Sequence, residues 1–309
     1  MRRISRLPFS LDFSTIMPNA STLTIRNVTF HWGSRTYIMG ILNATPDSFS
    51  GDGLARETDM ARAALVRAQQ MLAEGADILD VGGESTRPGS APVSADEEIR
   101  RVVPVIRALR AETDAIISID TSKAAVAAAA LDAGADMIND VWGLRADPDL
   151  APLAARAGVP VILMHNRSTP KKTAIDPRLG GRFVGVVYDD LMADIRRELG
   201  ICLEVAQRAG IPDERIILDP GVGFGKTVEQ NLEIVNRLDE IKRMGYPVLL
   251  GTSRKSFIGY TLDLPPDQRA EGTAATTAIG IDRGADIVRV HDVLLNARVA
   301  RMTDAIVRR

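Results

Sequence analysis

From Tyr37 onward the chain alternates short apolar runs with longer segments whose apolar positions recur every three or four residues. The short runs read as strands at 37–43, 78–82, 116–120, 137–140, 160–164, 216–219, 248–251 and 287–290. Runs that stay apolar without alternating suit strands covered on both faces. Helices fill the intervals. Met60, Ala64, Ala68, Met71 and Leu72 form one stripe, and Val228, Leu232, Val235 and Leu238 another, at the spacing of a single helix face. Thr227-x-x-Gln230 and Ser94-x-x-Glu97 have the form of capping boxes that open helices.

One tripeptide recurs. Gly75-Ala76-Asp77, Gly134-Ala135-Asp136 and Gly284-Ala285-Asp286 each lead directly into apolar residues, as helix C-caps feeding strands do. The first two copies lie 59 residues apart, room for two strand-helix units, and the third follows after 150. That larger gap holds four more units if one loop is long, and the polar tract 166–181 supplies the loop. Residues 37–309 number 273, close to the roughly 250 of a (β/α)8 barrel. A doubly wound open sheet competes, but it rarely reaches eight alternating units and would want a glycine-rich first turn. The pattern therefore predicts an α/β fold, a single (β/α)8 TIM barrel over 37–309, with a tail and β-hairpin at 1–36. The hairpin rests on the alternation of 23–32 and the Gly33-Ser34 turn. Residues 1–20 hold Arg2, Arg3 and Arg6 but no sustained period, and read as a frayed tail or an organelle transit peptide.

Composition narrows the partner. A formal net charge of -2 creates no global field for nucleic acid or an acidic membrane, so small-molecule substrates are expected. The single Cys202 lies in a helical pattern as a small buried hydrophobe and has no second cysteine to pair with. With no apolar run near the length of about eighteen residues that spans a bilayer, and no signal-peptide core, a cytoplasmic location is expected.

A barrel brings the carboxyl ends of its strands to one face. Those ends carry Asn43, Gly82-Gly83-Glu84, Asp120, Asn139-Asp140, Met164-His165, Asp219, Gly251-Thr252-Ser253 and Arg289-x-His291. Asp219 either satisfies the N–H groups of its own glycine-rich turn or faces a pocket of donors. Asp140 and Ser118 read first as structural groups, and His165 as a packed histidine as readily as a ligand. Asp120, Asn139 and Asp219 together suit a flat heterocycle with amino and ring N–H donors. A cationic group adjoins them: Arg87 after strand two, Arg254 and Lys255 after strand seven, and Arg289 with His291 on one side of strand eight. These charges call for phosphate or diphosphate, unless neighbouring Asp286 and Asp292 absorb them in ordinary ion pairs. The loops 43–53 and 83–90 are small, polar and rich in glycine and proline, as segments that move over a site are, or plain surface loops. The turn 219–227 fits neither a Walker A loop, which needs glycine at Pro220, nor a dinucleotide fingerprint, which needs it at Lys226.

These segments resemble a known family. The motifs are Ile41-Leu42-Asn43-Ala44-Thr45-Pro46-Asp47-Ser48-Phe49-Ser50, Gly83-Glu84-Ser85-Thr86-Arg87-Pro88-Gly89, Ser118-Ile119-Asp120-Thr121 and Ile138-Asn139-Asp140-Val141. Asp219-Pro220-Gly221-Val222-Gly223-Phe224-Gly225-Lys226-Thr227, Gly251-Thr252-Ser253-Arg254-Lys255-Ser256 and Arg289-Val290-His291-Asp292 complete them. Over about residues 37–300 the chain resembles the dihydropteroate synthases, folate-pathway barrels that bind pterin. The resemblance implies a transferase that joins 6-hydroxymethyl-7,8-dihydropterin diphosphate to p-aminobenzoate and releases diphosphate, assisted by Mg2+, in a molecule commonly dimeric.

Position by position, the resemblance implies that Asp120, Asn139, Asp219, Lys255 and Arg289 hold the pterin, with Asp120, Asp219, Lys255 and Arg289 carrying the catalysis. Asn43, Arg87, Arg289 and His291 would take the diphosphate, Asn43 also serving the metal. Phe49, Thr86, Pro88, Phe224 and Ser256 would shape the p-aminobenzoate pocket. The chain departs from the family's usual pattern at Ser50-Gly51-Asp52-Gly53, Val222, Trp142 and Asn166-Arg167. Two other functions compete: a pterin-dependent methyltransferase using methyltetrahydrofolate, which would need no diphosphate cradle, and a non-catalytic pterin-binding paralogue, whose loops would be degraded.

Overall fold

The computed structural model describes residues 21–45, 57–86, 90–169, 172–184 and 186–308. Strands β1 (Thr22–Ile25) and β2 (Val28–His31) form an antiparallel hairpin ahead of the barrel. The barrel strands are β3 (Tyr37–Asn43), β4 (Ile78–Gly82), β5 (Ile116–Asp120), β6 (Met137–Asp140), β7 (Val161–Met164), β10 (Ile216–Asp219), β11 (Leu249–Leu250) and β12 (Ile287–Val290). All pair in parallel, each with its neighbour in chain order, and β12 returns to β3. A parallel bridge between Leu218 and Val248, with the Leu218 N–H donating to Pro247 O at 2.9 Å, closes the ring between β10 and β11.

Around the barrel run α1 (Glu57–Glu74), α2 (Ala95–Glu112), α3 (Ala124–Ala133), α4 (Leu150–Ala157), α5 (Leu191–Ala209), α6 (Val228–Asn236), α7 (Asp239–Lys242), α8 (Ser256–Leu262), α9 (Ala270–Asp282) and α10 (Val293–Val307). The stripe of α1 is buried at Met60, Ala64, Ala68 and Met71. On α6 the period slips: Asn231, Ile234 and Val235 face inward while Leu232 is exposed. Thr227 and Gln230 form a complete capping box, whereas Ser94 caps the Glu97 N–H without a return bond, because Glu97 pairs with Arg100 and Arg101. The tract 166–181, expected as open loop, builds part of a second hairpin, β8 (Thr173–Asp176) with β9 (Gly180–Phe183).

Side chains two apart on a strand share a face, and this sorts the barrel interior into layers. Met39, Ile78, Ile116, Met137, Ile162, Ile217, Leu249 and Ile287 form one apolar layer. Leu23, Ile25 and Phe30 of the β1–β2 hairpin join the same cluster, so the hairpin plugs the amino-terminal end of the barrel.

The repeated tripeptide has one structural job. Gly75, Gly134 and Gly284 take φ values of 106°, 114° and 101° at the helix ends. The Asp that follows then accepts a backbone N–H of the preceding strand: Asp77 from Ile38 at 2.8 Å, Asp136 from Ile117 at 2.9 Å and Asp286 from Val248 at 2.8 Å. Each is balanced by a cation, Arg35, Arg110 and Lys242 respectively. Asp136→Ala would leave the Ile117 N–H unmet and take the carboxylate from Arg110, which keeps only its carbonyl acceptors at Gly134, Thr113 and Ala115. We expect a loss of about 3 kcal/mol, read from urea unfolding.

Candidate active site

Two residues above the apolar layer, the strands contribute Asp80, Ser118, Asn139, Asp219 and Arg289, and Asp120 stands one step higher on β5. Arg289 Nε donates to Asp80 Oδ2 at 2.6 Å, and its terminal nitrogen donates to Asp120 Oδ2 at 2.6 Å. Asn139 Nδ2 reaches the same Asp80 oxygen at 3.1 Å. Burial works against the Arg289 charge, but Asp80 and Asp120 outweigh it and hold the guanidinium above its ordinary pKa. Burial likewise drives Asp120 up to about 7, with Arg289 opposing the rise and Asp80 adding to it.

Asp80 was not among the residues that the sequence put forward. Its side chain is completely buried, and it organises both Arg289 and Asn139. Its signal was a lone carboxylate in the middle of Ile78-Leu79-Asp80-Val81, where a buried strand has no reason to carry a charge unless it is paired. Asp80 Oδ1 and Ser118 Oγ, on paired positions of β4 and β5, have no protein hydrogen-bond partner among the described residues.

Asp219 fits both readings offered for it. Its Oδ1 accepts the Gly221 N–H at 2.6 Å, while burial raises its pKa against the pull of Lys255 and that N–H. Lys255 is pressed down to about 8 by burial, with Asp219 pulling it back up. Its Nζ donates to Val222 O and lies 4.7 Å from the centre of the Phe224 ring. The turn between them requires glycine. A Cβ on Gly221 would come within 1.8 Å of His165 O, and one on Gly225 within 2.2 Å of the Arg167 carbonyl carbon, both with φ near 65–69°.

Other candidates divide. His291 Nδ1 lies 2.9 Å from Ser253 Oγ, and its carbonyl accepts from Arg67 of α1, a cation the sequence did not flag. Arg254, one of the cations expected to meet an anion, is instead absorbed by Asp292, Lys242 pairs with Asp286, and Arg289 turns to Asp80 and Asp120 of the interior. A cavity of about 780 Å³ is lined by Thr86, Asp120, Trp142, Phe183 and Phe224, among others. Asn43 opens instead onto a separate cavity of about 350 Å³ beside Arg67 and Gln70. Ser256 stands at the start of α8, partly buried. Asp140 is structural, accepting from Ser122 and from the N–H groups of Trp142 and Leu144. His165 is packed in a buried network, and Cys202 is buried. Phe49, Arg87 and Pro88 lie outside the described residues.

A model of the pterin binding enzyme family matches residues 39–291, from within β3 to just past β12. This chain belongs to that family. Its relatives within it are dihydropteroate synthases: that of Clostridium beijerinckii is 54% identical over 281 residues, 91% of this chain and 97% of the relative. The dihydropteroate synthase of Clostridium difficile, solved in the presence of pteroic acid, shares the fold at a TM-score of 0.83 and 51% identity, covering 91% of this chain and 100% of its own. That of Yersinia pestis, solved with a sulfonamide drug, gives 0.82 and 43%, covering 92% and 98%. The chain is thus a transferase of folate biosynthesis with the dihydropteroate synthase reaction.

Truncating Asp80 leaves Arg289 with one carboxylate and Asn139 with none. Asp80→Ala is therefore expected to cost about 3 kcal/mol in chemical denaturation and to weaken pterin binding in calorimetry, although Asp80 itself lies beneath the pocket.

Proposed function

We propose that the barrel mouth grips the dihydropterin through Asp120, Asn139 and Asp219 and draws off its diphosphate with Arg289, His291, Asn43 and Arg87. The observation that carries this reading is the Arg289 guanidinium held between Asp80 and Asp120, with Asp219 and Lys255 near enough to influence each other's charge. A donor-rich planar ring is matched by carboxylates and an amide, and an anion by cations. Thr86, Phe224 and Ser256 would face p-aminobenzoate together with Phe49 and Pro88. That the C. difficile relative was solved in the presence of pteroic acid and the Y. pestis relative with a sulfonamide drug supports the ligand classes of this reading.

In the reaction, the carbon–oxygen bond to diphosphate breaks with its electron pair leaving on the phosphate. The arylamine nitrogen forms the new carbon–nitrogen bond and loses a proton. No enzyme nucleophile is required. Positive charge that develops on the pterin would be stabilised by an ionised Asp219, and the leaving group by Arg289, with Lys255 against the ring.

Mg2+ favours hard oxygen donors and commonly combines one or two protein groups with substrate phosphates and water. The Asn43 amide oxygen, at the end of β3, is such a donor, and among the described residues no cluster of three His, Cys, Asp or Glu side chains offers a self-sufficient metal site. Asn43 would therefore hold the ion jointly with the diphosphate, and the ion would neutralise charge on the leaving group. Exposed Leu295, Met302 and Ile306 on α10, with Ile279 on α9, support a homodimer. A cytoplasmic setting fits a reaction among small polar metabolites.

With dihydropterin diphosphate, p-aminobenzoate and Mg2+, diphosphate release should depend on the amine. Arg289→Ala should lower kcat/KM by about 100-fold or more, and Asp219→Asn should lower turnover in the same steady-state assay. Full turnover in Asp219→Asn would remove the charge-stabilising role. Pterin binding should also respond to pH. Ring N–H donors bind the ionised carboxylate, and Asp120 is protonated below about 7. Affinity should therefore rise as the pH climbs through that value and level off above it, and Asp120→Asn should flatten the profile.

A further inference from the structure

Lys226 ends the glycine-rich turn after β10 and is only 2% exposed. A buried amine is costly unless every donor is met. Lys226 Nζ has three close acceptors: His165 Nδ1 at 2.9 Å, Gly221 O at 2.8 Å and Phe224 O at 3.0 Å. An ammonium carries three N–H donors, one for each. Burial pulls this amine well below the ordinary lysine pKa, with the Asp219 carboxylate opposing. Two of those contacts are to carbonyls of the turn, which the amine can serve as donor in either protonation state.

The chain continues outward. The Glu198 carboxylate, 3.1 Å from His165 Nε2, can only accept, so the imidazole proton belongs on Nε2 and Nδ1 is left facing Lys226. Burial and the Lys226 charge keep the imidazole neutral, with its pKa down at about 3. Glu198 is held in turn by Arg167, whose guanidinium lies 4.2 Å from the Tyr188 ring centre. The Tyr188 hydroxyl donates to Gly225 O at 3.0 Å. The turn is therefore gripped at Gly221, Phe224 and Gly225, by an amine from within and a phenol from outside.

We propose that Lys226 is a positioning residue for the condensation: through the Gly221 and Phe224 carbonyls it sets the turn that presents Asp219 to the pterin and Phe224 to p-aminobenzoate. Glu198 and His165 fix Lys226 in that position. The inference rests on the roles given above to Asp219 and Phe224.

Lys226→Met keeps the length of the side chain and removes its donors. We expect the pterin Kd and the p-aminobenzoate KM each to rise by about tenfold, and amide exchange to quicken over 221–226 but not in the β1–β2 hairpin. Glu198→Gln, at the far end of the chain, should shift both constants the same way by a smaller factor, and it serves as the test if Lys226→Met does not fold. In a Phe224→Ala background the effect of Lys226→Met on p-aminobenzoate should vanish while its effect on pterin persists. A general loosening of the molecule would raise both constants in either background, and that outcome overturns the proposal. So do unchanged constants, or unchanged exchange in the turn, in a folded variant. Wild-type protein that releases no diphosphate would instead sink the assignment of the site, which separates the two failures.

Discussion

A guanidinium inside a barrel has little water around it, and Arg289 is kept there by two carboxylates. Asp80 takes Nε and Asp120 takes a terminal nitrogen, so the planar fork is fixed in rotation as well as in position. Asn139 is tied to the same Asp80 oxygen, and Lys255 with Asp219 completes a set in which each charge conditions the others. Such a group behaves as a unit. Removing one member leaves an uncompensated charge in a low-dielectric pocket, which costs more than the lost contact alone.

The unit exists because the barrel interior changes character along its axis. One ring of eight side chains is wholly apolar, and two residues further along each strand the ring becomes mostly polar. Stability and chemistry are thereby separated by a single step of the pleat. The Gly-Ala-Asp elements serve the lower end, where each Asp binds the preceding strand and a cation.

Much of this was legible in the chain because parallel strands buried on both faces leave uninterrupted apolar runs whose ends are unmistakable. All eight barrel strands lie within one or two residues of the runs, and Asp120, Asn139, Asp219 and Arg289 near strand ends, with Lys255 from the loop after β11, come together in one interior site. The misses have physical causes. Asp80 lies inside a strand, not at its end, so a reading of strand ends passes over it. Lys226 looked like a failed nucleotide motif, because only three-dimensional structure reveals three acceptors around its amine. Leu232 is apolar yet exposed, since α6 turns Asn231 inward, where its amide accepts the Gly223 N–H and donates to the Thr227 carbonyl. The β8–β9 hairpin escaped notice because its glycines and mixed polarity mask the alternation of a strand, although it brings Thr173 and Phe183 to the large cavity.

The β1–β2 plug has a consequence for how such a molecule tolerates change. Leu23, Ile25 and Phe30 seal the floor against the apolar layer of the barrel. Drift at the rim, where Thr86 and Phe224 stand, therefore spends none of the cohesion stored beneath it. A barrel stoppered from below can remodel its entrance repeatedly and remain a barrel.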